Sequence, residues 1–363
     1  ARTSFGGTST KNTEEQIAKV CNHLITQHDA LRARFIFTNN TWKQEINTPE
    51  QICALEYVDF SEIAADNHSS EIEKHTQRIQ NAFNLSKGSL FKCIYFKNTN
   101  GKDFCRLIAH HLVVDAVSWK IIIDDFINLL EEVNLGNSFV NESKTSSFKE
   151  WTNYLNIYAN NINDKELAFW QAQITPVAAL PVDNVINTIE EKDIIQIAVN
   201  FNEDITASLI SGNKTLNTKT EELLITAFVD AISNWSNNEK ITIGFERHGR
   251  ETENSSLDVS KTVGWFTSYF PLQFIHQSLN SIDNKIIAVK EKMRSIPNGG
   301  IGYGGLRYLK KSLGKIKNPE IVFNYLGTQI KDNSTITTTT LTENLRDLKS
   351  ERYYKLEVNA VII

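Results

Sequence analysis

Two short stretches of this 363-residue chain gather acid–base side chains. The first is His110-His111-Leu112-Val113-Val114-Asp115-Ala116-Val117-Ser118-Trp119, in which an aspartate follows the second histidine by four positions. The second is Glu246-Arg247-His248-Gly249-Arg250-Glu251. An imidazole with its ordinary pKa near about 6.5 takes or gives a proton at neutral pH, whereas a carboxyl group near about 4.3 needs burial to become a useful acid. Taken alone, the histidine stretch fits a chemical site and equally fits an ordinary pair at a surface or satisfied by hydrogen bonds in a core.

The apolar pattern predicts the elements that would hold these groups. Residues 104–109 read as a strand, and Trp119, Ile122, Ile123, Phe126, Leu129, Leu130 and Val133 recur at helical spacing, so the histidines fall at a strand-to-loop transition ahead of a helix. Such a junction can present an imidazole while a rigid scaffold holds it. A strand over 241–245 runs directly into Glu246. Thr13 and Gln16 form a capping box for a first helix that ends at His28, read as its C-terminal cap. A strand follows near 33–37. Strands over 91–98 and 103–109 share the turn Asn98-Thr99-Asn100-Gly101-Lys102. Ser147 with Glu150, and Thr218 with Glu221, are expected to cap further helices, with others at 204–211 and 282–296. Strands are expected at 194–201, 321–325 and 354–361, and residues 176–191 read as a linker. The expected organisation is two lobes, 1–175 and 176–363.

Composition removes several classes. A net charge of -5 without a basic cluster argues against nucleic acid as a partner. No run of eighteen apolar residues exists and the first twenty positions lack signal-peptide character, so a cytoplasmic protein with no membrane partner is expected. Cys21, Cys53, Cys93 and Cys105 are scattered, which predicts reduced, partly buried thiols and no metal site. Gly299, Gly300, Gly302, Gly304 and Gly305 follow a helix and lack a Lys-Ser/Thr ending, so a flexible loop bordering a cleft is expected, with no bound nucleotide cofactor. The chain begins at Ala1 and stops inside an apparent strand at Ile363, so both ends read as cut from a longer multidomain enzyme.

His110-His111-x-x-x-Asp115 resembles the signature of the condensation superfamily of nonribosomal peptide synthetases. Glu246 to Glu251 resembles the Glu-Gly-His-Gly-Arg-Glu motif of its epimerization domains. Three further stretches match that branch in order: Val263-Gly264-Trp265-Phe266-Thr267-Ser268, Pro297-Asn298-Gly299-Gly300-Ile301-Gly302-Tyr303-Gly304 and Phe323-Asn324-Tyr325-Leu326-Gly327. The resemblance implies an α+β fold of two chloramphenicol acetyltransferase-like lobes in a V, the second carrying these later motifs, with the active site in the cleft between them. It implies an isomerase that converts L to D at the α-carbon of an aminoacyl or peptidyl thioester. The substrate would ride on the 4'-phosphopantetheine arm of an upstream peptidyl carrier domain beside adenylation and condensation domains, in antibiotic biosynthesis. A condensation domain forming peptide bonds and an inactive carrier-docking module remain alternatives.

Within this resemblance His111 and Glu246 are the acid–base pair that inverting a carbon requires, one for each face. Tyr325, Asn324 and backbone amides from Trp265 to Ser268 are candidate donors to the enolate oxygen, Tyr325 being counted among the functional residues of its motif. His110, Asp115 and Arg250 are supporting residues. Asp115 is expected to hold its loop through backbone amides or an arginine, and Arg250 to pair with it or to orient Glu246. Ser118 is expected to cap the following helix and Trp119 to lie in the core. Ala116 and Lys120 stand where the family usually has glycine and arginine, the family's amino-terminal Pro-x-Gln-x-Trp-Phe segment is absent, and so is the last stretch of the second lobe. Arg247 replaces a glycine. In a continued strand its side chain points away from Glu246, whereas a bent strand end brings the cation close and lowers the glutamate's pKa.

Overall fold

The computed structural model describes the chain except residues 1, 9–11, 50–54, 89, 100–101, 140–142, 185–187, 253–255, 277–280, 329–337 and 342–346. In chain order it forms β1 (Arg2–Thr8), α1 (Glu14–Gln27), β2 (Ala33–Thr38), β3 (Thr41–Ile46), β4 (Leu55–Asp59), α2 (His68–Ala82), β5 (Phe91–Thr99), β6 (Lys102–His110) and α3 (Ala116–Asn134). There follow α4 (Phe148–Asn160), α5 (Asp164–Gln173), α6 (Glu203–Leu216), α7 (Thr220–Ser236), β7 (Lys240–Arg247) and β8 (Ser268–Ile275). The last elements are α8 (Ile282–Arg294), α9 (Ile301–Gly304), β9 (Ile321–Thr328), β10 (Thr338–Leu341) and β11 (Leu356–Ile362).

Two compact units result. The first takes Ala1–Thr152, Thr252–Phe266 and β10. Its sheet has the order β10-β1-β6-β5-β4, and β2 and β3 form a separate hairpin. The apolar stripe of α1 (Ile17, Val20, Leu24) and that of α3 (Ile122, Phe126, Leu130) join Phe91, Cys93 and Leu107 of the sheet in one core. Thr13 caps α1 as expected, its side chain accepting from the Gln16 amide at 3.2 Å while Gln16 returns a bond to the Thr13 amide at 2.8 Å. His28 stands at the helix end, and its ring pairs with Asp125 of α3 at 2.8 Å.

The second unit takes Asn153–Glu251 with residues 267–328 and 347–363. Its sheet order is β11-β9-β7-β8, with β9 parallel to both β7 and β11, and β8 antiparallel to β7. Ile243, Phe245, Phe270, Leu272, Ile321 and Phe323 form the core face together with Ile225 and Val229 of α7.

Several expectations are corrected. The division between units falls at Thr152 and Asn153, inside α4, instead of near 175, because Trp170 of α5 is fully buried in the second core. The Val263 to Phe266 stretch belongs to the first unit. Residues 194–201 form no strand, and Ile195, Ile197, Val199 and Phe201 are each more than 60% exposed. Alternation describes an extended segment, but a strand also needs a neighbour to take its backbone groups. The cap of α7 is shifted by one position: Glu222 accepts from the Lys219 amide at 2.8 Å, and Thr218 bonds Asn213 instead.

The glycine stretch is pinned by packing. Gly299 and Gly300 have φ of 55° and 91°, backbone that favours glycine, and a Cβ on Gly300 would run into the Phe270 ring. Gly302 lies against the Glu166 carboxylate, which accepts from the Tyr158 hydroxyl at 2.7 Å and the Trp170 indole at 3.2 Å. Cys21, Cys93 and Cys105 are buried free thiols, and burial pushes the Cys93 pKa well up. Cys53 lies outside the described residues.

Candidate functional site

β6 ends at His110, and the chain turns through His111 to Val114 before α3 begins. Asp115 starts that helix. Its extended backbone leaves the carboxylate facing the helix amides, and Oδ1 accepts from the Ser118 N–H at 2.7 Å. Oδ2 accepts from the Phe266 N–H at 3.0 Å. Ser118 is therefore not the cap. Its hydroxyl donates to the Gly264 carbonyl at 2.7 Å and accepts from the Gly264 N–H at 3.0 Å. These bonds stitch the Val263 to Phe266 stretch to the start of α3. They set the edge of Trp265 against the His111 ring, with centroids 5.6 Å apart and planes at 75°. Gly264 is needed there, since a Cβ would enter the Phe148 ring. Trp119 is buried in the first core.

The two histidines differ in what they do. His110 Nδ1 accepts from the Leu112 N–H at 3.2 Å, which commits that ring to the turn. His111 is half-buried, and its pKa is lowered: burial disfavours the imidazolium more than a bond to its own main chain and the Asp115 charge favour it. A neutral imidazole is the form that accepts a proton.

In the second unit Glu246 is the next-to-last residue of β7. Gly244 and Glu246 share one face with Tyr269, the cross-strand partner of Glu246, and the Tyr269 side chain lies across Gly244. The pKa of Glu246 is raised, first by desolvation from the protein around it and then by the Glu357 carboxylate. Glu246 is nevertheless exposed, so solvent screens much of the effect. Gly249 has φ of 67°, so the motif's glycine makes the turn that returns the Arg250 N–H to His248 Nδ1 at 3.1 Å. His248 Nε2 lies 3.4 Å from Glu251.

Asn324 and Tyr325 take opposite faces. Asn324 pairs in register with Asn359 and lies on the Glu246 side, its amide donating to Asn359 Oδ1 at 3.3 Å. Tyr325 packs with Phe323 on the core side. The structure thus separates Tyr325 from Glu246, because side chains alternate along a strand. It brings up residues that sequence reasoning missed, namely Tyr269, Tyr354 and Glu357. The alternation of β11 was visible, but only the register shows which of its residues share the face of Glu246. Among the described residues no group of three or more His, Cys, Asp or Glu is placed to hold a metal ion, and no helix is long and apolar enough to cross a membrane.

Residues 7–363 match the family described as the Condensation domain. The chain belongs to the condensation-domain family. Over 316 residues it is 33% identical to a linear gramicidin synthase of Brevibacillus parabrevis, a match covering 84% of this chain and 4% of that protein. Gramicidin S synthase 1 of Brevibacillus brevis is 33% identical over 323 residues, covering 86% of this chain and 29% of the relative. This condensation-family domain therefore spans a small part of the curated relatives it matches. Among solved structures, the epimerization domain from the third module of tyrocidine synthetase B is 30% identical with a TM-score of 0.87, covering 99% of this chain and 83% of that one. The first condensation domain of the calcium-dependent antibiotic synthetase, 13% identical with a TM-score of 0.71 over 99% of this chain and 81% of that one, shares the fold. The α+β architecture is that of the family.

Arg247, the departure from the motif of the epimerization branch, points away from Glu246 in this condensation-family domain. Its guanidinium makes two bonds to Glu221 of α7, at 2.8 and 2.9 Å, and lies 5.7 Å from the Phe245 ring on the core face. The strand stays straight through it, so the cation does not depress Glu246. Arg247→Ala is expected to lower stability by about 1–2 kcal/mol, the range between an exposed pair and a buried one. Urea unfolding measures that loss, while the pH dependence of any activity that uses Glu246 stays where it was.

Proposed function

We propose that this domain epimerises, from L to D, the α-carbon of an aminoacyl or peptidyl thioester carried on the phosphopantetheine arm of a peptidyl carrier domain in nonribosomal peptide synthesis. One observation carries the reading: β7 delivers Glu246 at the head of the acid–base motif that resembles that of the epimerization branch. Inversion needs a base on one face of the carbon and an acid on the other. The motif at Glu246 and the likeness to an epimerization domain support it.

One group takes the α-proton, and the C–H electrons pass into the thioester carbonyl as an enolate. The other group then returns a proton to the opposite face. Asn324, on the Glu246 side with a second amide hydrogen to offer, is a donor to the enolate oxygen. Tyr325 is assigned to packing. The Phe266 amide is occupied by Asp115, so Trp265 of the first unit and Thr267 of the second are the backbone candidates. Asp115, Ser118 and His110 position His111, and Arg250 belongs to the turn that follows Glu246. Proton transfer between two side chains balances without a further redox group. The partners are the carrier domain and the neighbouring adenylation and condensation domains of a cytoplasmic synthetase.

The test loads a carrier with an L-aminoacyl group, adds the protein in deuterated water, and follows α-deuterium and chirality together. Deuterium uptake with D product is expected. A folded protein that gives neither overturns the reading, and peptide formation with a second loaded carrier selects condensation instead.

A further inference from the structure

The second carboxylate on the Glu246 face has no part in the chemistry above. Gly244 of β7 stands in register with Val322 of β9, and Val322 with Glu357 of β11. These three residues form one row across the sheet, and Glu246 lies two residues further along β7 on the same face. The opposite row of Ile243, Phe245, Ile321, Phe323, Leu356 and Val358 is core. Between the two glutamates the face carries Asn324 and the buried Val322 of β9, and the Tyr269 side chain lies over Gly244. Two strand spacings across and two residues along separate their backbones by roughly 12 Å. Two glutamate side chains bring the carboxylates within about a Debye length.

Glu357 is also held in place. Arg352, largely buried, ion-pairs with Glu357 and lies 3.2 Å from Glu191. The charged and titratable groups around Glu246 divide as follows. Tyr269 faces it from β8, and Tyr354 and Glu357 from the β11 side. On its own segment Arg247 turns to Glu221, His248 pairs with Glu251, and Arg250 lies beyond the turn. Arg307 lies over the Tyr303 and Tyr308 rings. Tyr354, whose ring lies 6.3 Å from that of Tyr269, feels the same pair: burial first, then the Glu246 and Glu357 charges, raise its phenol.

We propose that Glu357, clamped by Arg352, is a positioning residue that opposes ionisation of Glu246 and so maintains it as the proton donor of the reaction. The inference rests on the epimerase reading, since it gives the protonated carboxyl its use. It adds no step to the chemistry. It biases the balance between the two protonation states of the acid.

The experiment measures α-deuterium exchange against pH for the parent protein, Glu357→Gln and Arg352→Gln, with the Glu246 carboxyl titrated in parallel by carbon-13 NMR without substrate. Removing the negative charge moves the alkaline limb of exchange, and the Glu246 titration, to lower pH by about half a unit. That is the size expected for one charge at roughly 9 Å and an effective dielectric between those of a protein surface and water. Arg352→Gln leaves the charge less compensated and moves both the other way. Where Glu357→Gln does not fold, the double variant Glu357→Gln with Arg352→Met removes both charges and is expected to show a smaller downward shift, the nearer carboxylate outweighing the guanidinium. A rate lowered equally at every pH, with the Glu246 titration unmoved, marks a structural residue and overturns the proposal. A parent protein without exchange refutes the epimerase reading, while the NMR titration still decides the role of Glu357.

Discussion

His111→Ala is expected to lower inversion of a carrier-bound aminoacyl thioester by about 10²–10⁴-fold, and Glu246→Gln by a similar factor, the usual worth of a positioned acid or base. The two variants differ in exchange. An enzyme that lacks the acid on one face still removes the α-proton on the other and returns deuterium to the face it came from. One variant therefore washes deuterium into the L-substrate without inversion, and the other does so with the D-substrate. Mass spectrometry with chiral separation reads both. Inversion at the parent rate in either variant removes that residue from the mechanism.

The pKa directions support this pair. With ordinary values near about 6.5 and 4.3, a neutral histidine together with a protonated glutamate makes up less than about one part in a hundred of the singly protonated states. Desolvation lowers the His111 pKa, and desolvation together with Glu357 raises that of Glu246. The two shifts converge, which narrows the gap between the two one-proton states. On the epimerase reading, one serves the forward direction and the other the reverse.

How much of this was legible in the sequence depends on the range of the interaction. The cap at Thr13 and the bond pair between Ser147 and Glu150 stand where spacing placed them, because a cap is decided within one turn. The junctions holding His111 and Glu246 were also readable, since each lies at the end of a strong apolar run. The seat of Trp265 was not. It depends on bonds from Asp115 and Ser118 to residues 151 and 146 positions away, which no local pattern encodes. The separation of Tyr325 from Glu246, and the company of Glu357, are facts of register between parallel strands. The extended stretch over 194–201 shows the converse, with strand-like alternation and no ladder formed.

Asp115→Ala is expected to produce the largest loss of stability, about 2–4 kcal/mol. Asp115 is 3% exposed and serves two backbone amides that lie far apart in the chain. Loss of the helix cap costs about 1 kcal/mol, and leaving the buried Phe266 N–H without its acceptor costs about 1–3 kcal/mol more. Asp115→Asn offers no rescue, because the carboxamide has one accepting oxygen and sets its NH₂ group against the second amide, donor to donor. Thermal unfolding followed by tryptophan fluorescence measures the effect in the unit that contains Trp119 and Trp265. The same substitution frees Trp265 from the His111 ring, so turnover of the folded fraction is expected to fall together with stability. Trp265→Phe keeps an aromatic edge beside His111 and leaves every main-chain bond of that stretch in place, so it tests the ring contact separately. A change below about 0.5 kcal/mol in Asp115→Ala, the range of ordinary surface substitutions, is incompatible with a carboxylate that joins the start of α3 to the Val263 to Phe266 stretch.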